Sequence, residues 1–262
     1  MELDLKGKSA LITGGSKGIG FATARAFAAE GTALHIAARN AGDLERARAE
    51  IIRDFDVPVA LHAVDLSQGR AARDLAKVCA DVDILVNNAG AIPGGSLADI
   101  DEDRWRQAWD LKVFGYINMM RATYSQMKAL GRGVIVNICG TAGNQIPADY
   151  AAGITANGAL ITLTRALGGT SLNHGIRVLG ISPGDMENER GIMFLRRQAE
   201  KEFGDAERWR EMYSDLPGGS AATSEDIASA VVFLASSRAR YISGTVLTID
   251  GGLSASQAVV GS

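Results

Sequence analysis

The sequence is poor in the residues that staple, coordinate or break a chain. Its 262 residues include two cysteines, Cys79 and Cys139, three histidines and five prolines. Two thiols in a chain of this length make no disulfide framework, which points to a reducing compartment. His35 and His62 fall in strand-like runs and His174 in a turn, so the sequence displays no metal-ligand spacing and no serine-hydrolase triad. Neither sign of charge dominates. The formal net charge is −3 and the pI ≈ 5.7, which leaves no basic footprint for nucleic acid or anionic lipid. No apolar run approaches the ~18 residues needed to span a bilayer. The opening stretch MELDLKGKSALITGG carries charge where a signal sequence needs an apolar core. These absences give the expectation of a cytoplasmic protein with no membrane and no nucleic-acid partner.

What is present is a globular α/β pattern. Hydrophobic residues make up 47% of the chain, enough for one large core. Short apolar runs read as buried strands at Ser9–Thr13, Ala33–Ala37, Val59–Val64, Ile84–Asn87, Val134–Ile138, Arg177–Ile181 and Val246–Ile249. Amphipathic stretches between them read as helices at 18–29, 42–54, 68–79, 99–129, 155–172 and 224–236. Strands separated by helices imply right-handed crossovers and a Rossmann-type, doubly wound parallel sheet of seven strands, covered on both faces. With no repeat or linker, residues 1–262 form a single domain. The least regular region, 184–222, reads either as a substrate lid or as a plain surface excursion.

The glycines carry the first functional signal. Ser9–Thr13 is followed by Gly14-Gly15-Ser16-Lys17-Gly18-Ile19-Gly20, and Gly18 opens a helix. Small residues at 14, 18 and 20 let the backbone turn tightly and approach a pyrophosphate. The helix N-terminus offers unpaired N–H groups and the positive end of a dipole. Strand, turn and helix together are far more specific than a glycine-rich turn alone.

The chain resembles the classical short-chain dehydrogenase/reductase family over nearly its whole length. The motifs are TGGSKGIG at 13–20, Asp65 after the third strand and Asn87-Asn88-Ala89-Gly90 after the fourth. Ser182-Pro183-Gly184 follows the sixth, and Tyr241-Ile242-Ser243-Gly244 leads to Asp250-Gly251-Gly252. The resemblance implies a cofactor site of Gly14, Ser16, Lys17, Gly18, Ile19, Gly20, Arg39, Asp65, Leu66, Asn88, Ala89, Gly90, Pro183, Gly184 and Met186. Asp65 and Leu66 would flank the adenine, and Met186 would lie near the nicotinamide amide. At the end of the second strand an acidic residue would take the ribose 2′-hydroxyl; here stand Ala38 and Arg39, with Lys17 in the phosphate turn. Two cations favour a 2′-phosphate, so NADP(H) is expected over NAD(H). The resemblance also implies a homotetramer or homodimer. Helices 99–129 and 155–172 would pair across one axis, and helix 224–236 with strand 246–249 across another, with Ile242, Val246 and Leu247 as apolar surface.

The chemistry end reads differently. The family usually carries an Asn–Ser–Tyr–Lys set: Tyr moves the proton, Lys lowers its pKa and holds the ribose, Ser orients the carbonyl, and Asn organises a water relay. In the frame set by VIVNICGTAG at 134–143 and by the helix at 155–165, the Ser falls on Gly140, the Tyr on Gly153 and the Lys on Asn157. With Gly115 setting the frame of the preceding helix, the Asn falls on Lys112. A rival alignment keeps Tyr150 as the tyrosine but places Ile154 where Lys belongs. A helical Tyr150 would lie about 4.5 Å along the axis from Gly153 and lean away from it. Lys112, Tyr150 and Asn157 are therefore the catalytic candidates. For Lys112 two readings stand: an ammonium moved across the cavity toward the ribose or oxyanion, or a solvent-facing helical lysine. Other polar residues nearby are Cys139, Thr141, Asn144, Asp149, Asp185, Glu187 and Asn188.

Three functions follow. The first is an NADP(H)-binding oxidoreductase with a non-canonical site and weak or absent ordinary carbonyl turnover on a small-molecule substrate. The second is a non-redox lyase, isomerase or hydrolase on the same scaffold. The third is a catalytically silent cofactor-binding protein.

Overall fold

Seven parallel strands lie in the order β3-β2-β1-β4-β5-β6-β7. They are β1 (Ser9–Thr13), β2 (Ala33–Ala38), β3 (Val59–Ala63), β4 (Ile84–Asn87), β5 (Gly133–Ile138), β6 (Ile176–Pro183) and β7 (Val246–Ile249). The computed structural model describes residues 2–140 and 148–257. The helices are α1 (Gly18–Ala29), α2 (Ala41–Asp54), α3 (Gly69–Val78), α4 (Glu102–Trp109), α5 (Gly115–Leu130), α6 (Ala151–Ser171), α7 (Glu189–Phe203), α8 (Ser224–Ala235) and α9 (Leu253–Gln257). The order reverses between β1 and β4, and such a switch point opens a crevice beyond the carboxyl ends of the strands.

The central strands are buried along their length because both faces are covered. One apolar cluster gathers Ile12, Phe27, Ile36, Val136, Ile181 and Val231 under α1, α2 and α8. The other gathers Leu11, Leu85, Met119, Ile135, Leu160 and Val178 under α3, α5 and α6. Buried polar groups tie strand ends to helices. Asn87 Nδ2 donates to Asn137 Oδ1 at 2.9 Å, and Asn137 Nδ2 donates to Thr164 Oγ1 at 2.9 Å, joining β4, β5 and α6. The Arg177 guanidinium reaches the last carbonyls of α8, those of Leu234, Ala235 and Ser236. Burial pulls its pKa down to about 10.

Two differences from the sequence expectation matter for the site. The single helix expected over 99–129 is two helices joined by a π-turn at Asp110–Phe114. A π-turn admits one residue more than an α-turn and so changes which side chain faces inward; here Lys112 and Val113 are buried. Helix α6 begins at Ala151, four residues ahead of the expected 155, with Tyr150 as its N-cap at φ −134°, ψ 35°. Tyr150 is therefore outside the helix, and the lean assigned to it as a helical residue does not apply.

Segment 184–222 is more regular than its sequence suggests. It holds α7 and 3-10 turns at Ala206–Asp215 and Pro217–Gly219. Leu195, Ala199 and Trp209 form a small core of its own, flanked by Ile192, Phe203 and Met212. Its ends are pinned together: Glu187 N donates to Ala222 O at 2.8 Å and Ala222 N to Asp185 O at 3.0 Å.

Candidate functional site

The turn after β1 is built so that backbone, not side chain, faces the crevice. Gly14 and Gly18 have φ of 66° and 52°, a left-handed conformation that glycine adopts without strain. A Cβ on Gly20 would stand 2.2 Å from Gly14 O, so only glycine lets α1 pack this close to the turn. The N-cap of α1, Lys17, makes no side-chain cap hydrogen bond, so its first turn presents N–H groups to an anion. Thr13 and Asn88 brace the turn from behind. Thr13 Oγ1 accepts from Asn88 N at 2.9 Å and Ala89 N at 3.1 Å, while Asn88 Nδ2 donates to Thr13 O at 3.1 Å and Gly14 O at 3.2 Å. The bracing role of Thr13 escaped the sequence reading.

A cavity of ≈ 400 Å³ opens above this turn. Its lining brings together Gly14, Ser16, Lys17, Ile19, Arg39, Leu66, Asn88, Ala89 and Gly90 from the expected set. It adds Val64, Leu111, Asn188 and, notably, Asp43. Gly18, Gly20, Asp65, Pro183, Gly184 and Met186 lie outside this lining. Asp65 instead accepts from Ser67 N at 3.1 Å, and Met186 packs on the apolar core. The carboxylate that the sequence reading did not foresee at the rim, Asp43, is matched by Lys17 Nζ at 3.0 Å and by Arg46. Arg39 is exposed at the same rim. The rim thus keeps a cationic balance. The positive-φ glycines, the uncapped helix start and this rim fit the pyrophosphate and phosphates of a dinucleotide.

Deeper in, Lys112 points inward. Its side chain passes against Gly90, where a Cβ would stand 2.6 Å from Lys112 Cδ. The ammonium donates to Ile138 O at 2.7 Å and to the Tyr116 hydroxyl at 3.2 Å, and it lies 4.8 Å from the Tyr116 ring centroid. Tyr116 OH also donates to Ile138 O at 3.1 Å. Lys112 is only 9% exposed, which overturns the solvent-facing reading. Burial, and then Cys139, push the Tyr116 phenol well above its usual range, so it stays neutral. Burial also pushes the Cys139 thiol up to about 11 against the opposing effect of Lys112. Cys139 is a core thiol, not a nucleophile.

At the carboxyl end of β5 two glycines have neighbours in the space their side chains would take. Gly140 has φ 108°, and a Cβ there would stand 2.6 Å from Asn157 Nδ2. Asn157 is itself buried. A Cβ on Gly153 would stand 2.0 Å from Tyr150 Cζ and 2.2 Å from its Cε1, inside the phenol ring. The Tyr150 ring therefore lies over Gly153, where the sequence reading had it turned away. The half-buried ring packs beside Ile92, Ile100 and Ala152. Asn188 caps α7, its Oδ1 accepting from Gly191 N at 2.9 Å. Asp185 is exposed, and partial desolvation of its carboxyl, followed by the Asp250 charge, raises its pKa. Thr141 and Asn144 lie outside the described residues.

Comparison with known proteins places this geometry. A family model described as "Enoyl-(Acyl carrier protein) reductase" matches residues 14–254. A galactitol 2-dehydrogenase (L-tagatose-forming) of Cereibacter sphaeroides is 34% identical over 95% of this chain and 95% of its own. A 3-oxoacyl-[acyl-carrier-protein] reductase of Vibrio harveyi is 31% identical over 96% and 99%. Among solved structures, L-sorbose reductase from Gluconobacter frateurii, complexed with NADPH and L-sorbose, superposes with a TM-score of 0.89 at 28% identity, covering 96% of this chain and 98% of that one. NAD+-bound xylitol dehydrogenase gives 0.87 at 28%, covering 95% and 100%. No described helix is long and apolar enough to cross a membrane. From the glycine turn to the last strand, the chain belongs to the short-chain dehydrogenase/reductase family.

Proposed function

We propose that this protein is an NADP(H)-preferring oxidoreductase of that family in which the usual proton-transfer side chains have been replaced, so that ordinary ketone or alcohol turnover is weak. A bound nicotinamide dinucleotide supplies or accepts the hydride. The protein's own residues bind and orient it: the glycine turn takes the pyrophosphate, while Arg39 and Lys17 face the 2′-phosphate. Ala89 and Gly90 form the wall toward the nicotinamide. The observation that carries the reading is the contrast between this open, cationic cavity and the filled positions at Gly140 and Gly153. In the proposed frame those positions belong to the carbonyl-orienting serine and the proton-donating tyrosine.

Lys112, Tyr150 and Asn157 are the groups left to act. Lys112 places an ammonium one layer behind Gly90 and against the end of β5, where it lowers the cost of negative charge developing nearby. Tyr150 offers a phenol, but its hydroxyl-bearing carbon overlaps the Cβ position of residue 153. A tyrosine at 153 would carry its hydroxyl a full side-chain length farther into the crevice. Asn157 fills the space beside Gly140. The substrate is a small molecule; galactitol, L-tagatose and L-sorbose in the names of its relatives make a polyol or ketose the first class to screen. The excursion at 184–222 covers the substrate as a lid. Assembly is a homotetramer or homodimer through α5, α6, α8 and β7, to be measured by light scattering.

The overlap of Tyr150 with the 153 position also favours a second reading, a cofactor-binding protein or non-redox enzyme with no positioned acid. Single-turnover absorbance of NADPH with a panel of ketoses decides. Measurable oxidation by the unmodified protein that falls in Lys112→Met or Tyr150→Phe supports the first reading. Tight NADPH binding with no oxidation moves the assignment to the second. Robust turnover unaffected by either variant overturns the proposed site.

A further inference from the structure

His35, His62 and Cys79 are far apart in sequence, and the sheet gathers them. In the β2–β3 ladder His35 pairs with Ala60 and His62 with Ala37. The two histidines are thus diagonal neighbours on one face of adjacent parallel strands, since side chains two apart share a face. Cys79, the C-cap of α3, closes the triangle from the helix that covers that face. His35 Nδ1 stands 3.0 Å from His62 Nε2, and Cys79 Sγ stands 3.4 Å from the first and 3.7 Å from the second.

From this geometry we infer that His35, His62 and Cys79 form a binding site for a borderline-soft divalent cation of the zinc class. Tetrahedral zinc with Zn–N of about 2.0–2.1 Å and Zn–S of about 2.3 Å sets donors about 3.3 Å (N to N) and about 3.6 Å (N to S) apart. The observed edges differ from these by a few tenths of an ångström. Two imidazoles and a thiol also match the ligand preference of that metal class over magnesium or calcium. Burial lowers the pKa of both imidazoles, so both are neutral and ready to ligate at neutral pH. Burial raises the Cys79 thiol to about 11, so the cation must displace its proton, which leaves to solvent. The rings are near-parallel, 14° apart. Cys79 is buried, whereas both histidines are half-exposed, which leaves a fourth position open to water. Exposed Asp81 adds negative charge close to His35 and Cys79.

The site lies apart from the cofactor cavity but on the same strands. Ala37 and Val64, each two residues beyond a ligating histidine, line that cavity. Strand β3 is at the sheet edge and pairs only with β2. A cation here would clamp the edge strand, its neighbour and the covering helix together.

The test uses Zn2+ and Co2+ on the chelator-treated full-length protein. One equivalent of Co2+ is expected to produce a thiolate-to-cobalt charge-transfer band, absent in Cys79→Ser and retained in Cys139→Ser. Zn2+ at a hundredfold excess over its Kd is expected to raise the melting midpoint by about 5–10 °C. His35→Gln and His62→Gln should each weaken binding at least tenfold. Equal cobalt spectra and equal Zn2+ affinity in wild type and in the triple variant Cys79→Ser/His35→Gln/His62→Gln would overturn the site. If that variant does not fold, X-ray absorption of the zinc-loaded wild type decides. One sulfur at about 2.3 Å and two nitrogens at about 2.0 Å support the site, and a shell without sulfur refutes it.

Discussion

Glycine does opposite things in the two halves of this molecule. Along the turn after β1, Gly14 and Gly18 take a left-handed backbone and Gly20 lets α1 close onto Gly14 O, beside a crevice with Lys17 and Arg39 on its rim. At the end of β5 and the start of α6, neighbouring side chains stand in the space beside Gly140 and Gly153: Asn157 at one, Tyr150 at the other. A missing side chain in the first half lets the backbone close up, as Gly20 does against Gly14 O. In the second half it gives room to another residue.

The strongest way to break that contrast is to crowd the turn after β1. Gly20→Val puts carbon atoms into Gly14 O, and overpacking of this kind costs about 1–3 kcal/mol. Cofactor affinity should fall by about a hundredfold or more as the turn distorts, measured by quenching of intrinsic fluorescence, with a lower melting temperature. Wild-type affinity would mean that the turn does not hold the pyrophosphate.

Emptying and refilling the other half comes next. Gly153→Tyr alone should destabilise the protein without raising turnover, because Tyr150 stands in the way. Tyr150→Ala/Gly153→Tyr/Asn157→Lys/Gly140→Ser should raise ketone reduction by about 10²-fold or more, the usual value of one positioned general acid. No gain from the folded quadruple variant would count against the proposed frame.

Smaller again is the effect of the rim. Arg39→Ala should weaken NADPH by about tenfold and leave NADH within about twofold, since one charge-assisted hydrogen bond is worth about 1.5–3 kcal/mol. Equal losses for both cofactors would remove Arg39 from 2′-phosphate recognition. Tighter NADH than NADPH binding by the wild type would remove the preference itself.

The smallest expected effect concerns Asp185, whose carboxyl pKa is raised by partial desolvation and by Asp250. A raised folded-state carboxyl pKa means that the unfolded chain loses its proton first as pH rises. Stability therefore falls as pH rises above the ordinary carboxyl value of 3.8. Asp185→Asn should raise the melting temperature at pH 7, with the gain shrinking on acidification. A gain that persists unchanged at pH 3.5 would locate the effect elsewhere.

Much of the scaffold was legible because it depends on local pattern. β1, β4, β7 and α1 fall at the residues expected from apolar runs and glycine punctuation. The π-turn was not legible, because no proline or glycine marks Asp110–Phe114 and the inward turn of Lys112 depends on Gly90 leaving room. The position of Tyr150 was misjudged because a helix frame was extended over an N-cap. Asp43 was missed at the rim because it reaches the cavity from the first turn of α2, not from the end of β2. Thr13, His35, His62 and Cys79 look unremarkable in sequence: the β2–β3 register brings the two histidines together, α3 adds Cys79, and Thr13 meets Asn88 across the turn.

The ring of Tyr150 over Gly153 also sets a direction on change. A side chain at position 153 would meet the Tyr150 ring and one at position 140 the Asn157 amide, so either change requires its neighbour to move. The pairs 150/153 and 140/157 thus behave as two hinged couples, in which a change at one member is felt first by the other.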